Sequence, residues 1–97
     1  MGQASIHDLA DRELNEAAQY YELETPGLGL AFVNEVERCV RAVLQHPEAG
    51  TVILGVVRRR LLQRFPYAPL YSIKADGVRI LAVMNQKQRP NYWVGRQ

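Results

Sequence analysis

Two amphipathic helices in immediate succession, neither able to bury its apolar stripe alone, set the terms on which this chain folds. Residues 8–24 bring Ala10, Leu14, Ala17, Ala18 and Tyr21 onto one stripe at helical spacing, with Arg12, Glu13, Asn15, Glu16 and Gln19 outside it. Asp8 stands where an N-cap is expected, and Asp11 falls in the first turn, where a negative charge complements the free N–H groups. Thr25-Pro26-Gly27 ends the helix, because proline lacks a donor and glycine permits a reversal. Residues 28–46 repeat the pattern with Phe32, Val33, Val36, Val40, Val43 and Leu44, leaving Glu35, Glu37, Arg38, Arg41 and Gln45 outside, until His46-Pro47 closes the run. The pair is expected to form an antiparallel hairpin, and its leftover apolar surface requires another layer.

The second half supplies strands for that layer. Residues 51–54 read as a short strand and 56–65 as a longer one; 70–75 and 78–84 flank Asp76-Gly77, a two-residue hairpin signal that pairs Ala75 with Val78, Ile73 with Ile80 and Tyr71 with Ala82. Residues 78–84 are apolar on both faces except at Arg79, which places them inside the sheet. Residues 3–7 could add an edge strand. The expected fold is α+β: a two-helix antiparallel hairpin on one face of a small antiparallel sheet of three to four strands. Leu14, Tyr21, Phe32, Val36, Val40, Phe65, Tyr71, Ile73 and Ile80 are its expected core. Ninety-seven residues make one domain over 1–97, since two cores would each be too small to hold a chain together.

Charge divides the chain. Residues 1–50 carry nine acidic and three basic side chains; residues 51–97 carry one acidic and nine basic. Ten of the twelve basic residues are arginine, whose planar fork grips a carboxylate or phosphate at two points. Strand alternation puts Arg58, Arg60, Leu62 and Arg64 on one face, and Val57, Arg59, Leu61, Gln63 and Phe65 on the other. With Leu61 and Phe65 under the helices, the three arginines line the face the helices leave bare. Like charges ~6–7 Å apart along a strand call for an anion, either a ligand or the chain's own acidic side chains. The tail from Asn85 to Arg96 interleaves Lys87, Arg89 and Arg96 with Tyr92 and Trp93, a pattern that either stacks on nucleobases or docks on the core. His7 and His46, at helix boundaries, are read as capping or solvated groups, and the lone Cys39 as a core-edge residue. No metal-ligand spacing, glycine-rich phosphate loop or nucleophile motif is present, so neither metal nor cofactor is expected. No apolar run nears the roughly 20 residues of a membrane span, and the start lacks a secretory signal, so no membrane partner and a cytoplasmic location are expected.

The order and spacing of several segments resemble the RelE/ParE superfamily of bacterial toxins, within the ParE-like group known as plasmid stabilisation proteins. The segments are Glu13 to Glu22; Gly27-Leu28-Gly29 with Phe32 and Glu35; His46-Pro47; Arg59-Arg60; Arg64-Phe65-Pro66-Tyr67; Leu70-Tyr71; Ile80 to Val83; and Arg89 to Trp93 with Arg96. Together they span roughly residues 6–96. The resemblance implies the toxin of a type II toxin–antitoxin pair, with growth inhibition through a macromolecular target and neutralisation by a cognate antitoxin. Operator DNA would be met only through that antitoxin. ParE members poison DNA gyrase; RelE members are endoribonucleases that cut messenger RNA on the ribosome. A third reading is a non-toxic regulatory partner of the antitoxin. Two positions depart from the nuclease pattern: Ala68-Pro69 stands where cleaving members place an arginine, and Asn85 where relatives carry histidine. An amide cannot exchange protons near neutral pH, so cleavage would rest on transition-state stabilisation by Arg60, Arg64 or Arg89, with Tyr92 a poor base unless its pKa is depressed. Residues expected to meet target or antitoxin are Arg58, Arg60, Arg64, Asn85, Lys87, Arg89, Tyr92, Trp93 and Arg96.

Overall fold

Strand β1 (Gln3–Ile6) leads into helices α1 (Asp8–Glu24) and α2 (Leu28–Gln45), followed by a one-turn 3-10 helix (Pro47–Ala49). Strands β2 (Thr51–Leu54), β3 (Val57–Arg59), β4 (Tyr67–Lys74) and β5 (Gly77–Asn85) complete the chain in a computed structural model that describes residues 2–97. Among the described residues the sheet has five strands in the order β1-β5-β4-β3-β2, antiparallel except where β1 runs parallel to β5. The α+β arrangement is as expected, with one strand more. That strand covers the open edge of β5, the most apolar strand, whose backbone groups would otherwise face solvent.

Both helices lie within a residue of their expected bounds. The α1 cap is His7 rather than Asp8: its Nδ1 accepts from the Leu9 N–H at 3.0 Å, and Asp8 and Asp11 occupy the first turn. Helix α2 has no acidic residue in its own first turn; the Glu22 carboxylate of α1 accepts from the Gly27 and Gly29 N–H groups instead. Gly29 permits this approach, since a Cβ there would lie 2.5 Å from the Ala18 carbonyl oxygen.

The hairpin loop is shifted by one residue from the expected one, and the strand partners near it by two. Lys74 pairs with Gly77 and Ile73 with Val78, so the loop is Ala75-Asp76. Gly77, at φ 148°, begins the strand, and its missing Cβ lets the Gln3 backbone lie against it. A bulge then intervenes, because Tyr71 pairs with Ile80 but Leu70 pairs with Ala82. The bulge switches the face presented by β5. Val78, Ile80 and Val83 join Ala10, Ala17, Phe32, Val36, Val43 and Tyr71 in the core under the helices, while Leu81 and Ala82 pack on the opposite side with Val57, Leu70 and Trp93. Leu14, Tyr21 and Val40 border the helix-side core, but Ile73 does not belong to it and is 42% exposed.

Residues 56–65 are not one long strand. Only Val57–Arg59 pair in the sheet, and residues 60–66 form an irregular segment that places Leu62 and Phe65 in the helix-side core. The Glu35 carboxylate accepts from the N–H groups of Gln63 (2.7 Å) and Arg64 (3.1 Å), taking donors that a strand would have offered to a neighbour. Phe65 lies under the helices as expected, but within β3 the faces are exchanged. Val57 is buried opposite the helices; Arg58 pairs with Tyr71, on the helix side; Leu61 is 53% exposed.

Candidate functional site

The sheet face opposite the helices is not a bare basic surface. The C-terminal segment lays Trp93, 4% exposed, onto Val57, Leu70, Leu81 and Ala82. Trp93 thus serves as a packing residue, the docking alternative for the aromatic tail, and is not open for stacking on a base.

The three arginines expected on that face do not stay together: Arg60 and Arg64 lie beneath α2, while Arg58, like Arg79 and Arg96, is held by the chain's own oxygens. Arg58 Nη1 donates to the Glu48 and Gly50 carbonyls, both at 2.9 Å, bracing the turn after α2. Arg79 donates to the Gln97 carbonyl at 3.3 Å. Arg96 makes a two-point pair with Glu13, each N···O distance 3.1 Å, and also donates to the Leu81 carbonyl. Its guanidinium lies 5.0 Å from the centroid of the Tyr92 ring. Lys87 and Arg89 are exposed on the tail.

Two hollows collect the remaining polar groups. The first, about 310 Å³, lies between α1 and the end of β5 and is lined by Glu13, Glu16, Tyr20, Tyr67, Asn85 and Tyr92 among others. It joins two expected residues, Asn85 and Tyr92, but the charged residues lining it are carboxylates, and the one arginine against the Tyr92 ring, Arg96, is already paired with Glu13. Asn85 Oδ1 accepts from the Lys87 N–H at 2.9 Å, which shapes the turn leaving β5. Burial, followed by the adjacent Glu13, raises the Tyr92 hydroxyl well above its ordinary value near 10. A phenol so shifted stays protonated and makes a poor base.

The second hollow, about 220 Å³, lies between α2 and residues 60–64. Glu35, Arg38, Cys39, Arg60, Leu61 and Arg64 line it with their neighbours. It unites Arg60 with Arg64, as expected, but beneath α2 rather than on the opposite face. Arg64 lies 5.5 Å from the centroid of the Phe65 ring. Burial raises the Cys39 thiol, an effect that nearby Arg60 opposes and Glu35 reinforces. The four nuclease candidates are therefore divided: Arg60 and Arg64 belong to this hollow, Tyr92 to the other, and Arg89 lines neither. Among the described residues no cluster of three or more His, Cys, Asp or Glu could hold a metal ion, and no helix is long and apolar enough to cross a membrane.

Besides Arg38, sequence reasoning missed two carboxylates of the site, Glu13 and Glu35, since both fell outside the apolar stripes. A signal was present. Each lies three residues after a fully buried stripe position (Ala10 and Phe32), at the stripe's edge, where a carboxylate can reach backbone beneath the helix.

Comparison with known proteins adds family and fold. The family model described as ParE toxin of type II toxin–antitoxin system, parDE, matches residues 4–90. A solved structure described as a chromosomal ParDE toxin–antitoxin system from P. aeruginosa is similar in fold, with a TM-score of 0.76 at 20% identity, covering 88% of this chain and 96% of the other. No match was found among curated protein sequences.

Proposed function

Since the chain belongs to the family of ParE toxins of type II toxin–antitoxin systems, we propose that it arrests growth by binding DNA gyrase and that a cognate antitoxin neutralises it. The observation that carries this reading is the family match over residues 4–90, which takes in every helix and strand from α1 to β5. The geometry supports a binding role over RNA cleavage. In-line attack needs a base and cationic donors around one phosphate, whereas Tyr92 and the Arg60–Arg64 pair line different hollows.

Purified protein added to a supercoiling assay is expected to inhibit gyrase and trap cleaved DNA, with activity restored by the antitoxin. Unimpeded supercoiling without cleaved complexes would overturn the gyrase assignment. Message cuts on translating ribosomes, lost in Arg60→Ala or Arg64→Ala, would establish the endoribonuclease in its place. Harmless expression without antitoxin would favour the regulatory partner.

A further inference from the structure

Several arginines are held by no group of the chain among the described residues, and the hollow beneath α2 gathers three of them. Arg58, Arg79 and Arg96 all donate to carbonyls or a carboxylate of the chain itself. Among the described residues, Arg38, Arg60 and Arg64 make no side-chain hydrogen bond, and the one ion pair is Glu13–Arg96. Glu35, 8% exposed, is the carboxylate nearest to hand, but one of its oxygens accepts the Gln63 and Arg64 N–H groups. It therefore fixes the segment carrying Arg60 and Arg64 rather than neutralising their forks. Three guanidinium groups are thus held around a hollow of about 220 Å³, room for one or two small acidic groups.

The lining also discriminates among anions. Leu61, 53% exposed, stands at the rim, with Ala42 and Cys39 along the α2 wall. Nucleic acid would call for an open aromatic platform or a longer phosphate track. The neighbouring ring, Phe65, is buried. An apolar ledge beside unpaired arginines instead suits a peptide that alternates acidic and apolar side chains.

We propose that this hollow seats a carboxylate side chain from an acidic, amphipathic segment of the partner protein, whose apolar neighbour lies on Leu61. The inference deepens the antitoxin reading and rests on it, giving that partner a specific anchor on α2 and residues 60–64.

The test uses the full chain and its proposed cognate antitoxin. Arg60→Ala combined with Arg64→Ala is expected to weaken the complex by at least about 10-fold and to flatten its salt dependence. Arg41→Ala, on the same helix outside the hollow, is the control and should leave affinity unchanged. Cys39, the chain's only cysteine, reports occupancy directly. Its alkylation by iodoacetamide should slow by about tenfold or more in the complex, since access governs thiol reactivity. Wild-type affinity in the double variant, with undiminished Cys39 labelling, overturns the anchor and leaves the antitoxin reading standing. Absence of any complex with the unaltered protein overturns both. Protection of Cys39 by inorganic phosphate or a short DNA duplex, and not by the protein, overturns the choice of a carboxylate.

Discussion

The two hollows are built on the same plan and reach opposite electrostatic outcomes. In each, a glutamate at the edge of a helix stripe reaches past the helix to hold backbone. Glu13 of α1 accepts from the Val83 N–H at 3.0 Å, and Glu35 of α2 from those of Gln63 and Arg64. Glu13 keeps enough free acceptor capacity to pair with Arg96 at two points, so that arginine is consumed in tying down the C-terminal segment. Among the described residues Glu35 receives no guanidinium, and Arg38, Arg60 and Arg64 around it retain their donors. Whether an arginine is structural or available for recognition therefore depends less on its exposure than on how a neighbouring carboxylate is already engaged.

The largest perturbation removes what the two hollows share. Phe32 lies 5.1 Å, ring centroid to centroid, from both Phe65 of the irregular segment and Tyr67 of the α1-side hollow. Phe32→Ala is expected to cost about 3–5 kcal/mol, a large part of the stability of a chain this size. Denaturant melts check this, and an unchanged midpoint would show that the aromatic cluster is not their common floor.

Glu13→Ala and Glu35→Ala separate the two sides. Loss of Glu13 leaves a partly buried guanidinium and a strand amide unpaired, about 2–3 kcal/mol, and should loosen the C-terminal segment. The single tryptophan, Trp93, would report this as a red-shifted emission. Loss of Glu35 should cost about 1–3 kcal/mol. It should speed amide exchange at Gln63 and Arg64 while leaving Trp93 emission as it is. Equal fluorescence changes in both variants would break the comparison.

The smallest effect is expected at alkaline pH. Tyr92 and Cys39 both have raised values in the folded chain, chiefly through burial. The unfolded chain loses these protons first, so stability should hold up to about pH 9 and fall as pH rises beyond the ordinary thiol and phenol values. Tyr92→Phe should remove more of that slope than Cys39→Ser, because at Tyr92 Glu13 adds to burial and outweighs the opposing Arg96, whereas at Cys39 the opposing Arg60 outweighs Glu35. Urea melts from pH 7 to 11 would decide it; a slope unchanged in Tyr92→Phe would place its origin elsewhere.

Much of the fold was legible in the residues themselves. Stripes at helical spacing, a Pro-Gly break and a closing His-Pro located α1 and α2, and an Asp-Gly pair located the β4–β5 hairpin to within one residue. The candidate site was legible only in its parts. Arg60 and Arg64 do come together, yet alternation carried through residues 56–65 put them on the wrong face, because nothing local announced that Glu35, 28 positions before Gln63, would claim that segment's amides. The bulge that turns Leu81 and Ala82 away from the helices was equally silent, being a mismatch between two strands and not a property of either one.

The sequence by itself determined the helices, the hairpin and the family, because each is written in short-range periodicity, turn chemistry or residue order. Only the tertiary structure decided which face each strand presents, that β1 closes the sheet in parallel, and which guanidinium groups remain unpaired. Those outcomes depend on groups distant in the chain competing for the same donors and acceptors, and that competition has a result only when the packed layers bring them within hydrogen-bonding distance.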